Sequence, residues 1–396
     1  MESIIRSLLD TDLYKLTQQQ AVLRKCPDAV VSYNFIDRKP TGKMDAAFMD
    51  DLVQQIDYMR YLRLDDDQAH YLCGLGIFSL DYVDHLYRYR FDPAEVLPHL
   101  TLQDGVLKMP IPRKPWRRAI LWEVPLLALV SELYFRHNPA DDTPEANEAR
   151  LKVKGEKLSG LSFSEFGTRR RRSYEYQNQA VEILKNVIGF QGTSNVHLAY
   201  THNLPAIGTM AHEWIMGMSV LEGLRHANRH ALRAWQDVYD GKLGIALTDT
   251  FGTEAFWEDF RGNLSQSYNG VRHDSADPHR FTRRTLDHYQ HQGIDPKTKK
   301  IIYSDSLNPD KCQELDEQWG TEIRQYFGIG TNLTNDVPNS PALNIVIKLS
   351  ECNGVPVVKL SDTLSKATGD ADAIRDARWT FFGTPLDAKQ ETATSA

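Results

Sequence analysis

The apolar positions of this chain change their rhythm about a third of the way along. Early on, Leu13, Tyr14 and Leu16 in residues 10–24 fall at helical spacing, whereas Ala29 to Phe35 alternates, with Tyr33 and Phe35 set against Ser32 and Asn34. Residues 45–100 predict mostly helix with an acidic, aromatic surface, and Gln103 to Trp122 predicts a small sheet. Ala119 to Phe135 is the most apolar stretch, but Glu123, Pro125 and Glu132 interrupt it, so it predicts a buried segment rather than a membrane span. His137 to Glu148 is polar, acidic and Pro-containing, as a loop or linker would be.

From about residue 150, short apolar runs recur, each closed by polar residues. The run around Leu161 ends at Phe166-Gly-Thr-Arg-Arg170, Asn195-Val-His-Leu-Ala-Tyr at Thr201, and Gly244-Ile-Ala-Leu at Thr248-Asp-Thr250. Gly270-Val-Arg ends at His273-Asp-Ser-Ala-Asp277, Ile301-Ile-Tyr at Ser304-Asp-Ser306, and Tyr326-Phe-Gly-Ile at Gly330-Thr-Asn332; Asn344-Ile-Val-Ile is the last clear run. Helical stretches at 213–240, 279–292 and 309–320 separate several of them. Buried strands alternating with helices predict a parallel sheet, and this number of units predicts an irregular (β/α) barrel. With a barrel of roughly 250 residues, the first 130 or so form an additional α/β domain. The partition expected is 1–135 for the N-terminal α/β domain and 150–385 for the barrel, with the C-terminal segment free to pack back on the first domain. Residues 387–396, DAKQETATSA, form a tail without periodicity that predicts a mobile end.

Composition narrows the partners. A net charge of −7 argues against nucleic acid or an anionic membrane as the main target. Cys26, Cys73, Cys312 and Cys352 are scattered without a C-x-x-C pair, which fits a reducing cytoplasm and no zinc module. The opening Met-Glu-Ser-Ile-Ile-Arg lacks the pattern of a secretion signal.

The polar ends of the runs carry the candidate chemistry. Thr209, His212 and Glu213 open a helix that continues through Trp214, Ile215, Met218, Leu221 and Leu224, with Thr209 as a candidate cap. The positive end of a helix disfavours a protonated histidine and favours a neutral ring, or one carrying an anion. Ser304 and Ser306, ahead of a helix capped by Asn308 and Pro309, suit a phosphate or a plain turn equally well. Gly328-Ile-Gly330-Thr331 is a second such loop, and both would open on the same mouth. Arg272 presents a planar fork suited to a carboxylate, while Asp274 and Asp277 could hold ribose hydroxyls or Mg2+, or simply pair internally. Arg169 to Arg172 is a basic run in an acidic chain, from which one or two side chains would face the mouth. Tyr14, taken alone, is a core aromatic.

Together these segments resemble the bacterial-type nicotinate phosphoribosyltransferase family over nearly the whole chain. The matching stretches are Asp10-Thr-Asp-Leu-Tyr-Lys-Leu-Thr17, Tyr33-Asn-Phe-Ile-Asp-Arg38, Glu165-Phe-Gly-Thr-Arg-Arg170, Gly208-Thr-Met-Ala-His-Glu-Trp214, Gly270-Val-Arg-His-Asp-Ser275, Tyr303-Ser-Asp-Ser306 and Gly328-Ile-Gly-Thr-Asn332. The resemblance implies transfer of phosphoribose from phosphoribosyl pyrophosphate to nicotinate in NAD salvage, with ATP as co-substrate and Mg2+ as cofactor. It makes His212 the transiently phosphorylated residue and places Tyr14, Thr209 and Arg272 on nicotinate. Arg169, Asp274, Ser306, Gly330 and Thr331 fall to phosphoribosyl pyrophosphate. It further implies a homodimer with shared sites, to which Tyr14 would come from the partner chain. One departure stands out: the relatives' Asp-Ser-Gly-Asp is Asp274-Ser-Ala-Asp277 here, which predicts a backbone that avoids positive φ at Ala276. Three other readings compete: nicotinamide or quinolinate as acceptor, a nucleotide-binding relative without turnover, and a metal-dependent hydrolase built on His197, His202 and Asp249.

Overall fold

In the computed structural model, which describes residues 3–363 and 366–383, the alternation around residue 33 is a strand, β1 (Val30–Asp37), burying Val31, Tyr33 and Phe35. The Gln103 to Trp122 stretch is only partly sheet. A hairpin of β2 (Thr101–Gln103) and β3 (Val106–Lys108) precedes β4 (Ile111–Pro115), after which Trp116–Ala119 and Ile120–Trp122 coil into helical turns. Trp116 and Trp122, both fully buried, take up helical positions there because tertiary packing outweighs their strand preference. The apolar stretch is the helix Glu123–His137, buried from Glu123 to Phe135. Its polar members are partnered: Ser131 donates to the Arg171 carbonyl (2.8 Å), and Glu132 accepts from Tyr174 N (2.9 Å) and pairs with Arg136 (2.5 Å). The linker expected at His137 to Glu148 shrinks to a short loop, because Thr143 caps a helix, Pro144–Leu158, that has Pro at its first position.

Six parallel strands follow: β5 (Phe163–Glu165), β6 (Phe190–Thr193), β7 (Ile245–Leu247), β8 (Gly270–His273), β9 (Lys300–Tyr303) and β10 (Arg324–Ile329). They hydrogen-bond in the order β6-β5-β10-β9-β8-β7. β5 and β7 are buried at every residue, as parallel strands covered on both faces must be. The ladder is irregular at β6, where Ala206 adds a single parallel bridge to Thr193 and Ile207 N donates to the Thr193 carbonyl (2.9 Å).

Two of the apolar runs serve elsewhere. Asn195 to Tyr200 is helix, not strand: the Asn195 side chain accepts from Leu198 N (3.0 Å) and starts the helix Val196–His202. After a small ribbon of β11 (Asp336–Val337) and β12 (Ser340–Pro341), the run at Asn344 becomes β13 (Ile345–Cys352), followed by β14 (Val355–Pro356). β13 lies antiparallel to β1, with Val31 opposite Cys352 and Phe35 opposite Ile347, in a sheet ordered β14-β13-β1-β4. The chain therefore returns from the parallel sheet to the N-terminal one. The tail expected to be mobile, 387–396, lies outside the described residues. None of the described helices is long and apolar enough to cross a membrane.

Candidate active site

The C-terminal ends of the parallel strands, where α/β enzymes keep their chemistry, open on a cavity of about 1980 Å3. Tyr14, Arg169, His212, Arg272, Asp274, Ser306, Gly330 and Thr331 all line it. Both phosphate-type loops face this one mouth: Ser304 to Asn308 after β9, and Gly328 to Asn332 around the end of β10. Asn308 does cap the following helix, accepting from Lys311 N (2.9 Å), so the turn is well capped and open to the cavity at once. Gly328 is required by contact: a Cβ there would stand 2.3 Å from the Phe166 ring.

Of the four arginines, Arg169 and Arg170 reach the cavity. Arg171 turns inward and is fully buried, held by Asp10 (2.7 and 3.0 Å), and Arg172 stacks on the Phe135 ring at 3.9 Å and bonds Ser340. Arg170 has no ion-pair partner among the described residues, and burial, with repulsion from Arg169 and Arg38, pulls its pKa down to about 10. An unpaired guanidinium in a part-buried wall is a ready anion site. Sequence reasoning missed Lys348, which β13 brings to the same wall; burial, then Lys359, pushes its pKa down to about 8. In a chain of net negative charge, these groups concentrate positive potential where a polyphosphate would enter.

His212 is the first residue of the helix His212–Leu221. Its Nδ1 lies 3.0 Å from Thr250 Oγ1, and its Nε2 lies 3.0 Å from Asp274 Oδ2 and 2.9 Å from Lys359 Nζ. Burial first, and then the Lys359 charge, pushes its pKa down to about 4, so the ring is neutral at pH 7. Thr209 is not the cap. Ala211 takes that position without a side-chain bond, and the Thr209 carbonyl instead accepts from Thr17 Oγ1 (2.8 Å), leaving Thr209 off the cavity wall. The preceding Gly208 lies against the start of helix Leu13–Lys25, where a Cβ would sit 3.2 Å from Tyr14 N. This close approach puts Tyr14 on the wall beside Glu123, its hydroxyl 3.5 Å from Oε1. Tyr14 thus lines the cavity of its own chain. Below it, Lys15 is buried between Glu123 (2.5 Å) and Glu213 (2.6 Å).

Arg272 donates through Nε to Ser304 Oγ (2.8 Å) and through Nη2 to Asp274 Oδ1 (3.3 Å). Asp274 therefore belongs to the site, whereas Asp277 does not: it is exposed and caps the helix Pro278–His291, accepting from Arg280 N (2.6 Å). The residue between them also departs from expectation. Ala276 has φ +65°, the left-handed conformation, secured by Ala276 N donating to Thr363 Oγ1 (3.1 Å) and Lys366 donating to the Asp274 carbonyl (3.0 Å). These bonds hold a turn that glycine would adopt without strain.

The hydrolase constellation dissolves. His197 bonds Ser7, His202 bonds Asn178 and Glu182, and Asp249 sits instead with His212. His212, Asp249 and Asp274 do bring ligand-type atoms within 4.8 Å of one another. The Lys359 ammonium already stands beside two of them, 2.9 Å from His212 Nε2 and 3.2 Å from Asp249 Oδ2.

A model of the nicotinate phosphoribosyltransferase family matches residues 161–385, and one of that family's N-terminal domain matches residues 9–131. The chain is 44% identical to a nicotinate phosphoribosyltransferase of Methanosarcina mazei, across 97% of this chain and all of the relative. Solved structures of nicotinate phosphoribosyltransferases superimpose closely. The Porphyromonas gingivalis structure does so with a TM-score of 0.91 at 39% identity, across 96% of this chain and all of that one. The Vibrio cholerae structure gives 0.92 at 37% identity, across 98% and 96%.

Proposed function

Because the chain belongs to the nicotinate phosphoribosyltransferase family and is an enzyme that makes nicotinate mononucleotide and pyrophosphate for NAD salvage, we propose that this cavity is its active site and that ATP drives the reaction through His212. One observation carries the proposal. A single cavity holds a neutral histidine, an arginine fork and a cationic wall facing two hydroxyl-bearing loops.

The roles follow from chemistry. Breaking the bond from ribose C1 to pyrophosphate leaves an oxocarbenium-like centre and a leaving group carrying several charges. Arg169 and Arg170 stabilise that departing charge, which grows in the transition state, while Ser306, Gly330 and Thr331 seat the phosphoribosyl group. Arg272 faces the nicotinate carboxylate, Tyr14 lies beside the ring, and Thr209 supports the segment from behind. The nicotinate nitrogen is unprotonated at pH 7 and attacks C1 from the face opposite pyrophosphate, so no general base is assigned.

His212 works as an affinity switch. A phosphoryl group on the ring adds negative charge beside Asp274 and Lys359, and loops that prefer that state bind substrates tightly and release products once it is lost. Mg2+ finds no ready carboxylate cage among the described residues, since Asp274 is engaged by Arg272 and Ser304 and Asp305 by Lys366 (2.6 Å). We place it on the phosphate oxygens of the incoming substrates. The same reading includes a homodimer in a reducing cytoplasm. All four cysteines are free, as a reducing compartment would keep them.

The test is a turnover assay with nicotinate and phosphoribosyl pyrophosphate, with and without ATP, following nicotinate mononucleotide and pyrophosphate. Product formation that rises with ATP supports the reading; product formation indifferent to ATP contradicts the coupling.

A further inference from the structure

Lys359 lies in the segment after β14, far in sequence from every motif of the site, and its side chain is 5% exposed. Its Nζ stands 2.9 Å from His212 Nε2 and 3.2 Å from Asp249 Oδ2. An ammonium group has donors only and the Asp274 carboxylate, 3.0 Å from the same nitrogen, acceptors only, so the two compete for Nε2; in the state where Lys359 donates, Nε2 is the acceptor. The ring proton is then on Nδ1, donated to Thr250 Oγ1 at 3.0 Å. The lone pair that could attack phosphorus is therefore on Nε2, the nitrogen that Lys359 touches.

The lysine is held in place. Asp249 accepts from Ser275 Oγ (2.7 Å) and Ser361 Oγ (3.0 Å), which fixes the carboxylate that anchors the ammonium. Leu360 N donates to the Thr250 carbonyl (2.8 Å), so the segment that delivers Lys359 also latches the loop holding the other side of the imidazole. Lys359 and His212 both line the cavity, which brings both within reach of a bound nucleotide.

We propose that Lys359 is a catalytic lysine for phosphoryl transfer between ATP and His212: it marks Nε2 as the nucleophile and then binds the oxygens of the transferred phosphoryl group. The proposal rests on the reading that ATP phosphorylates His212. In the step, the Nε2 lone pair forms the N–P bond while the bond from the γ-phosphorus to the bridging oxygen breaks, and its electron pair leaves with ADP. The proton stays on Nδ1 against Thr250, so no base is required. The ammonium shifts from the consumed lone pair to the phosphoryl oxygens, a movement that a flexible four-carbon stem allows. The site thus keeps a mobile +1 charge where His212, Asp249 and Asp274 would otherwise suit a fixed metal ion.

The experiment is single-turnover labelling of the full chain with ATP carrying a radioactive γ-phosphate, comparing wild type with Lys359→Ala, Lys359→Arg and Lys359→Met, and with His212→Asn as the blank. Wild type should take an acid-labile label, and Lys359→Ala should take it on the order of 100-fold more slowly, the scale of losing one charge-stabilising donor. Ethylammonium in the buffer should restore Lys359→Ala at least about tenfold with saturation, Lys359→Arg should fall between, and Lys359→Met, which fills the stem volume without charge, should stay slow and not be rescued. Matching circular dichroism for Lys359→Met and wild type separates loss of charge from loss of fold. Wild-type labelling rates in the Ala and Met variants would overturn the role of Lys359, as would slow labelling that neither the amine nor arginine restores. A wild-type chain that takes no label refutes the phosphohistidine reading itself, and this proposal with it.

Discussion

Asp274 joins the nicotinate side of the cavity to His212: its Oδ2 lies 3.0 Å from His212 Nε2, while its Oδ1 accepts from Ser304 Oγ at 2.9 Å and Arg272 Nη2 at 3.3 Å. Against the raising effect of burial, Arg272, His212 and Lys359 hold its carboxyl well below the usual range. A charge placed on His212 is therefore felt at the carboxylate that positions Arg272. Asp274→Asn should cut kcat by on the order of 100-fold and shrink the effect of ATP on the KM for nicotinate. Steady-state kinetics at zero and saturating ATP measure both; an unchanged ATP effect on KM would remove Asp274 from the coupling.

Arg272 is the cation placed to meet a carboxylate, and its fork is tied down by Ser304 and Asp274. Arg272→Ala should raise the KM for nicotinate by roughly 100-fold, the loss of about 2–3 kcal/mol expected of a charge-assisted pair, while nicotinamide changes little. Competition between acid and amide at equal concentration reads this out. Equal losses for both substrates would place the nicotinate carboxylate elsewhere.

His212 ties stability to pH. The folded chain resists protonating this ring until about pH 4, whereas an unfolded histidine accepts a proton near 6.5. Between those values the unfolded state binds more protons, so stability falls as pH drops through that window and is fully retained at pH 7. From pH 7 to pH 5, wild type should lose about 2 kcal/mol more than His212→Asn in urea unfolding. Parallel losses in the two proteins would mean that the ring is not held neutral.

Much of this site was legible in local windows of sequence. Runs ending in Thr248, His273, Ser304 and Gly330 did become strands, the last three opening on the cavity through Arg272, Asp274, Ser304 and Gly330, and His212 does start a helix. What local windows could not show is long-range delivery. Lys348 and Lys359 come from the C-terminal part, brought back by pairing of β13 with β1 across more than 300 residues, and nothing about an isolated lysine in a strand marks it as a site residue. The run at Asn344 shows why: an apolar strand reads alike in a parallel or an antiparallel sheet. Glu123 looked like an interruption of an apolar helix, and only the fold shows it paired with Lys15 at the cavity wall.

Ala276 carries a backbone conformation that L-residues adopt at a cost of roughly 1–2 kcal/mol, partly offset because glycine loses more entropy on folding. Ala276→Gly should therefore stabilise the protein by about 0.5–1 kcal/mol, seen as a higher urea midpoint with an unchanged slope. A destabilised variant would show that the left-handed turn is not strained here.

Whether ATP acts by phosphorylating His212 is read from the position of the label. Wild type and His212→Asn would be incubated with γ-labelled ATP, and the phosphorylated peptide identified by mass spectrometry under basic conditions that preserve phosphohistidine. Wild type should carry a phosphate on His212, discharged on adding nicotinate and phosphoribosyl pyrophosphate, with no label and no ATP stimulation of turnover in the variant. A stable label on another residue, or ATP stimulation that survives in His212→Asn, would contradict action through His212.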